Sequence, residues 1–430
     1  MSLIKSDKSI YESMQHYFPV VEHNYQPIGK KELNLVSMIS NSTFTDKRIV
    51  GFNRLLDYRR KYDEDAIVLV SNHLSEADFL EMSLFFYTKE LRLLIQGGDN
   101  LFREDVRIKS HYATTAINLD KYLRARGAFQ VLRQPKDVYV EGRKKSLKGS
   151  TVMKLNKAYL FKLVEDAEMF LQFPGQSGES SQLKHGRPYD GRTVGFNRAM
   201  FQMLIDASEF EDKNVHLVPV NMSYESVLED TLFSELEKLK TKIDSEQLYQ
   251  YDMDHIIGEY MDPARQSRFC LKFGMPSYLD TGSFWDRKGI LKKSLSEKLA
   301  EESYQKVMSM QTAFPSHIFF TAVGGDWYVE IPDLKERITR ILTEIEETHA
   351  DMHYLRDKSG ETKTPDAIID ETISKFRSNG RKVIAEKNGA IEIRKKDVAK
   401  QYANHIAHFF MQEPEEKQED GMDIPTESQE

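Results

Sequence analysis

The sequence predicts an α/β fold: a mixed sheet flanked by helices, with helical additions at both ends. Three observations carry this expectation. The run Ala66–Val70 holds five apolar residues rich in β-branched types and closes on a polar break, the pattern of a buried strand. From Asp65 onward, short apolar runs alternate with amphipathic segments, as strands and helices do in α/β domains. The composition, 30% charged and 40% apolar over 430 residues, is that of a globular chain with room for a large core and more than one structural unit.

The elements follow in order. Residues 1–60 are polar with scattered aromatics and two helical stretches, Ile10–Phe18 and Lys30–Ile39, so a small helical N-terminal unit is expected there. The α/β domain spans 61–330. After Ala66–Val70, its strands are expected at Leu91–Ile95, Gln130–Leu132, Met169–Phe173, His216–Val220 and Phe269–Phe273. Helical periodicity lies between them at Phe79–Thr88, Met153–Glu165 and Asn197–Ala207. Residues 228–262 are highly charged and read as a helical insertion. Lys335–Glu347, Asp366–Phe376 and Asp397–Met411 are helical again, which makes 331–411 a C-terminal helical region. Residues 412–430 are acidic, contain two prolines and read as a disordered tail.

Charge and composition exclude several classes. A net charge of −8 argues against nucleic acid as a partner. The single cysteine, Cys270, permits no internal disulfide and no cysteine-rich metal site, which fits a reducing cytoplasm. The opening residues MSLIKSDKSIYESMQHYF lack the apolar core of a secretory signal, and no apolar run approaches 18 residues. A cytoplasmic protein, at most peripheral on a membrane, is expected. Phe314, Phe319 and Phe320 are either core aromatics or, if exposed, a bilayer-docking patch. With an acidic chain, any such docking must be local.

The chemistry centres on Ser71-Asn72-His73, which ends the Ala66 strand, and on Glu76-Ala77-Asp78, which opens the next helix. A histidine at the carboxyl end of a strand in an α/β fold faces the crevice where such folds bind ligands. Asp78, one helical turn on, can hold one ring nitrogen and leave the other to take a proton, the logic of a base and its orienting acid. Spacing alone decides nothing, since 12 histidines and 30 aspartates in 430 residues give about 0.8 such matches by chance. There are two, His73/Asp78 and His185/Asp190, and only the first follows a strand.

Three further stretches stand out. Gly127-Ala-Phe-Gln-Val-Leu-Arg133 offers a close backbone approach and a guanidinium suited to phosphate. Phe173-Pro-Gly-Gln-Ser-Gly-Glu-Ser-Ser181 runs from a strand into a loop able to aim backbone N–H groups at an anion, or to be a plain turn. Val218-Pro-Val-Asn-Met-Ser-Tyr-Glu225 is by itself only a strand end.

Taken in order, Asn-His-x4-Asp, Gly-Ala-Phe-x3-Arg, Phe-Pro-Gly and Val-Pro-Val-x3-Tyr-Glu resemble the four blocks of the glycerolipid acyltransferase family. The chain looks most like the glycerol-3-phosphate acyltransferase branch, including its soluble plastid type, over about residues 66–225. A weaker likeness extends to Tyr402-Ala-Asn-His-Ile-Ala-His-Phe-Phe410. The resemblance implies that His73 is the general base on the acceptor hydroxyl and that Asp78 holds its tautomer. It implies Phe129 and Arg133 in the acceptor site, with Arg133 on the phosphate, and Pro219 in the wall beside the acyl donor. Lys144 and Lys145, in the cluster Arg143-Lys-Lys145, lie where the plastid enzymes use a Lys-Lys-His stretch for phosphate; a solvated charge run is the alternative.

The third block departs from the family form Phe-Pro-Glu-Gly-x-Arg-Ser. Gly175 and Gln176 stand where Glu-Gly would be, and no arginine follows before Arg187. Glu141-Gly-Arg-Lys-Lys-Ser146 imitates the block but falls only 14 residues after Gly127, too soon for the intervening helix. Lys184, Arg187 or Arg192 is expected to meet the phosphate instead, and Ser177-Gly178 to form part of an oxyanion hole. No nucleophile elbow is present, so direct attack in a ternary complex is expected. The implied activity is acyl transfer from acyl-CoA or acyl carrier protein to the sn-1 hydroxyl of glycerol 3-phosphate, with no cofactor beyond the acyl thioester. The alternatives are another acceptor, dihydroxyacetone phosphate or lysophosphatidic acid, and a non-catalytic lipid-binding relative.

Overall fold

The computed structural model describes residues 2–22, 37, 40, 41, 43–75, 77–98, 102, 107–110, 113–132, 135–140, 143–175, 195–227, 229–230, 266–279, 290–348, 350–377 and 382–410. The chain opens with α1 (Ser2–Met14), a 3-10 turn and α2 (Phe18–Val21). Next comes a strand, β1 (Phe44–Val50), then α3 (Phe52–Lys61). Residues 1–60 are therefore not a purely helical unit. β1 reads as polar because it is an edge strand that buries only Phe44 fully and carries Asp46, Lys47 and Arg48, which hide the apolar alternation of a strand.

β2 (Ala66–Ser71) leads into α4 (Ala77–Thr88), β3 (Leu94–Gly98) and a hairpin of β4 (Arg107–Ser110) and β5 (Ala113–Asn118). After α5 (Leu119–Ala125) come β6 (Ala128–Val131) and a second hairpin, β7 (Lys136–Val140) with β8 (Arg143–Leu147). α6 (Gly149–Glu165), β9 (Met169–Gln172), α7 (Arg198–Glu211) and β10 (Val215–Tyr224) complete the alternation. β11 (Ser267–Phe273) and the short β12 (Ser277–Tyr278) follow. The expected strand at Leu91–Ile95 lies three residues further on. Gln96, Gly97 and Gly98 continue the ladder by pairing with Phe129, Gln130 and Val131, although they are not apolar.

The main sheet has the order β1-β11-β10-β2-β9-β3-β6, with β12 added on β10. β10, β2, β9, β3 and β6 run parallel, whereas β11 is antiparallel to β10 and parallel to β1. The fold is thus α/β with a mixed sheet flanked by helices. β2 lies near the middle, and every residue of it is at most 1% exposed. Burial of each Ile, Val or Leu there contributes about 1.5–3 kcal/mol. Successive residues of β2 face opposite sides. Ile67 and Leu69 join one core with α3 and α4, while Ala66, Val68 and Val70 join another with α1, α6 and α7.

The rest of the described chain is α8 (Ile290–Ser309), α9 (Pro315–Val323), β13 (Tyr328–Glu330), α10 (Ile331–Glu347), α11 (Pro365–Arg377), β14 (Ile384–Lys387), β15 (Ala390–Ile393) and α12 (Lys396–Ile406). α9 to α12 enclose a third core that includes Phe319, Phe320, Ile338 and Tyr402. A three-stranded sheet, β13-β15-β14, adds Val329, Ile384, Ile391 and Ile393 to it, so 331–411 is not a purely helical region. Phe320 lies against the rings of Phe376 and Tyr402, and Phe314 stacks on Tyr354. Phe314, Phe319 and Phe320 are at most 1% exposed, so they form no bilayer-docking patch. Among the described residues no helix is long and apolar enough to cross a membrane. Apart from isolated positions, the expected helix at Lys30–Ile39 and the insertion at 228–262 lie outside the described residues, as does the tail at 412–430.

Candidate active site

The site is built where the strand connections reverse direction across the sheet. From β2 the chain passes through α4 on one face toward β3. From neighbouring β9 it passes through α7 on the other face toward β10. Adjacent parallel strands whose connections leave to opposite faces open a crevice at their carboxyl ends. His73 stands at that end of β2. Phe173 follows β9 across the gap, its ring 4.6 Å from the imidazole. Phe79 closes another side at 6.1 Å.

Asn72 fixes the turn that carries His73. Its side chain replaces a backbone pair: Nδ2 donates to the Met222 carbonyl and Oδ1 accepts from the Met222 N–H, both at 2.8 Å. The β2–β10 ladder therefore runs on past the last strand residue and holds the next position rigid. Ser75 then starts α4, its Oγ accepting from the Ala77 N–H at 3.0 Å and donating to the buried Glu229 carboxylate. A serine in this role satisfies a backbone donor that the first turn of a helix leaves open.

Asp78 is wholly buried, and both of its oxygens accept hydrogen bonds. Oδ2 accepts from His73 Nδ1 at 2.7 Å and from the backbone N–H groups of Leu74 at 2.9 Å and Ser75 at 3.2 Å. Oδ1 accepts from the hydroxyl of Tyr224, at the end of β10. Four donors offset the large cost of burying a carboxylate, and the N-terminal turn of α4 favours negative charge there as well. In the neutral ring, donation from Nδ1 to the carboxylate puts the proton there and leaves the lone pair on Nε2. Among the described residues Nε2 takes no hydrogen bond, and the imidazole keeps partial exposure, 11% of its side chain. The arrangement makes a fixed, partly exposed base.

Tyr224 is itself held from behind. Its carbonyl accepts from His317 Nε2 at 3.0 Å, and His405 Nδ1 of α12 lies 3.3 Å from the same nitrogen. Burial pushes His317 well below the usual histidine range and His405 down to about 4, so both rings are neutral. Next to Tyr224, Glu225 is buried between Arg268 and Lys375, which hold its carboxyl below the ordinary value against the pull of burial. One turn beyond Asp78, burial raises the Glu81 carboxyl despite Lys47 at 3.1 Å.

The other expected residues fall elsewhere or outside the described chain. Phe129 is buried on the far face of β6, its ring 5.6 Å from Tyr159 of α6 and 6.5 Å from Phe170 of β9. It is a core ring and does not meet His73, because alternation along β6 turns Ala128 and Phe129 to opposite faces. Pro219 is paired with Val70 within the sheet and faces Gly274, where an added Cβ would lie 2.6 Å from its ring. Lys144 and Lys145 are exposed on the β7–β8 hairpin, with Lys144 ion-paired to Asp137 at 2.8 Å. Arg133, Ser177, Gly178, Lys184, Arg187 and Arg192 lie outside the described residues, as does the His185/Asp190 match. Tyr224 and Asn72 stand in the quoted motifs, but sequence reasoning gave them no role in the site. Each completes the site through a residue about 150 positions away, which no local pattern encodes.

Among the described residues no group of three or more His, Cys, Asp or Glu is disposed to hold a metal. A scan against models of known families finds none that matches this chain, and a search of curated proteins also finds no match.

Proposed function

We propose that this protein is an acyltransferase that moves a fatty acyl group from acyl-CoA or acyl carrier protein to the sn-1 hydroxyl of glycerol 3-phosphate. The observation that carries the reading is the His73–Asp78 pair at 2.7 Å, with three other donors on Asp78 and Nε2 left as the acceptor. Nε2 takes the proton of the acceptor hydroxyl as its oxygen attacks the thioester carbonyl. The tetrahedral intermediate collapses with cleavage of the C–S bond, and the imidazolium returns its proton to the departing thiolate. General base catalysis of this kind supplies about 10²–10⁴ in rate, or roughly 3–5 kcal/mol.

The order of the four motifs supports the same reading, including a sheet of the glycerol-3-phosphate acyltransferase type. In it the segment after Phe173, with Ser177 and Gly178, offers N–H groups to the oxyanion, and Arg133 with Lys184 or Arg187 meets the phosphate. A dianion in a partly dry site needs more than one such cation. The test is thiol release from palmitoyl-CoA and from acyl carrier protein thioester. Glycerol 3-phosphate, dihydroxyacetone phosphate and lysophosphatidic acid serve as acceptors, and His73→Ala as control. Turnover with glycerol 3-phosphate that disappears in the variant supports the assignment. Turnover only with another acceptor moves the substrate while keeping the base. No turnover with any pair removes the reading in favour of a lipid-binding protein.

A further inference from the structure

Between positions 133 and 154 the chain carries seven lysines and arginines against two acidic residues, in a protein of net charge −8. Much of this charge stands on the β7–β8 hairpin and around the N-terminus of α6, at Lys148 and Lys154. Among the described residues the two strands pair only with each other, so they form a ribbon apart from the main sheet. One face of the ribbon buries Val138, Val140 and Leu147 in the core that also holds Phe18 and Val21 of α2. On the other face Asp137, Tyr139, Lys144 and Ser146 are exposed. There Tyr139, 72% exposed, stands opposite Lys144. Met153, 58% exposed, follows on α6, whose first residue Gly149 adjoins Pro135 at the base of the ribbon.

We propose that this ribbon and the N-terminal part of α6, from Lys148 to Lys154, dock the protein on an anionic lipid surface. Arg143, Lys145, Lys148 and Lys154 are all exposed, while the charge of Lys144 is met by Asp137. Arg143 pairs with Val140 and Lys145 with Val138, so these two cations leave the ribbon on the opposite face from Tyr139 yet stay exposed. With Lys148, Lys154 and the exposed Met153 they flank the tyrosine, and such a mixture of cations and exposed apolar side chains settles at a headgroup layer. A narrow ribbon of five-residue strands suits such a layer better than a protein partner, which needs about 800 Å² of matched surface. The acidic remainder of the chain is repelled by the same lipids, so the contact also sets an orientation. β6 runs parallel to β2, so the ribbon that leaves its carboxyl end lies at the edge of the sheet where His73 stands. On the acyl-transfer reading, which this inference deepens, the surface brings the mouth of the site to the layer that receives its amphiphilic product.

The test is co-sedimentation of the full-length protein with vesicles, a readout independent of turnover. Binding is expected to vesicles containing about one third phosphatidylglycerol and not to pure phosphatidylcholine, and it is expected to weaken with salt. The triple variant Arg143→Gln/Lys148→Gln/Lys154→Gln is expected to bind about 100-fold more weakly, at roughly fivefold per cation. Tyr139→Ser is expected to weaken binding further. His73→Ala should bind as the parent does, so that a failure of the catalytic reading leaves this result standing. Equal binding to both vesicle types, no binding to either, or binding that survives the triple substitution overturns the proposal. So does capture of acidic acyl carrier protein, lost in the triple variant, by a protein that ignores vesicles.

Discussion

The two ends of the β2–β10 strand pair carry the same three residue types in a different order. At the carboxyl end the sequence of contacts is His73, Asp78, Tyr224, with the carboxylate in the middle. At the amino end it is Tyr58, His216, Asp65, with the imidazole in the middle. His216 Nε2 donates to Asp65 at 2.9 Å, and its Nδ1 accepts from the Tyr58 hydroxyl at 2.8 Å. Both nitrogens are closed, the ring is 2% exposed, and Tyr62 and Tyr278 pack around it. A His–Asp pair is therefore no signature of catalysis. What distinguishes His73 is that its aspartate draws its remaining bonds from elsewhere, which keeps one imidazole nitrogen uncommitted at the edge where ligands enter.

The sharpest way to break this comparison is to remove each histidine in turn. His73→Ala is expected to lower acyl transfer about 10²–10⁴-fold with little change in the urea midpoint. His216→Ala is expected to do the opposite: near-normal turnover, but a loss of about 2–4 kcal/mol of stability from the cavity and the orphaned Asp65 and Tyr58 groups. If His216→Ala abolished turnover in a folded protein, the assignment of the two ends would be reversed.

The next effect concerns Asp78, the middle of the His73–Asp78–Tyr224 contacts. Tyr224→Phe leaves one oxygen of a buried carboxylate without its donor, an interaction worth about 1.5–3 kcal/mol. If that oxygen serves to aim His73, kcat falls roughly 10–100-fold while KM stays put, since Tyr224 is buried and acts through Asp78. A rise in KM at constant kcat would instead make Tyr224 part of substrate binding.

Histidines with no carboxylate partner in the described contacts, His317 and His405 in the C-terminal region, supply a third case. His405 is held at about 4 by burial, against an ordinary 6.5. Between those values the unfolded chain takes up a proton that the folded one refuses. Stability is therefore full above about pH 6.5 and is lost as pH falls toward 4. His405 alone costs about 2 kcal/mol by pH 5, and His317, lowered in the same direction, adds to it. His405→Gln should flatten the stability change between pH 7 and 5, as measured by urea unfolding. The Asp351 carboxyl, held down to about 2 chiefly by Lys272, contributes its loss only below about pH 4, so the two windows do not overlap.

Much of this arrangement was legible where the signal is local. Ala66–Val70 reads as a buried strand because both faces of it are covered, and His73 and Asp78 follow two and seven residues after its end at Ser71. β1 was hidden because an edge strand with three charged residues has no apolar alternation. Tyr224, 146 residues from Asp78, and His216, 151 residues from Asp65, meet their partners only through the parallel pairing of β10 with β2. Phe129 sits in a motif that resembles a substrate-binding block, yet a strand shows alternate residues to opposite faces, and motif spacing does not say which face is which. The same limit applied to Phe314, Phe319 and Phe320, since an aromatic cluster reads alike whether it packs a core or coats a surface.

The smallest effect separates the two tyrosines. Tyr58→Phe removes the donor to His216 Nδ1 at a place where the tyrosine is partly exposed and water can replace part of the bond. The expected cost is about 1 kcal/mol in stability, with no change in turnover. Burial raises the Tyr58 hydroxyl above its ordinary value, with Tyr62 and Asp65 acting in the same direction, so the hydroxyl stays protonated and a donor throughout the neutral range. The same deletion of one oxygen atom thus tests position alone. At Tyr224 it frees a carboxylate that steers a base, and at Tyr58 it frees a nitrogen that steers nothing. Equal effects of the two substitutions on kcat would mean that the order of contacts at the two strand ends carries no functional difference, and the His73 assignment would lose its structural ground.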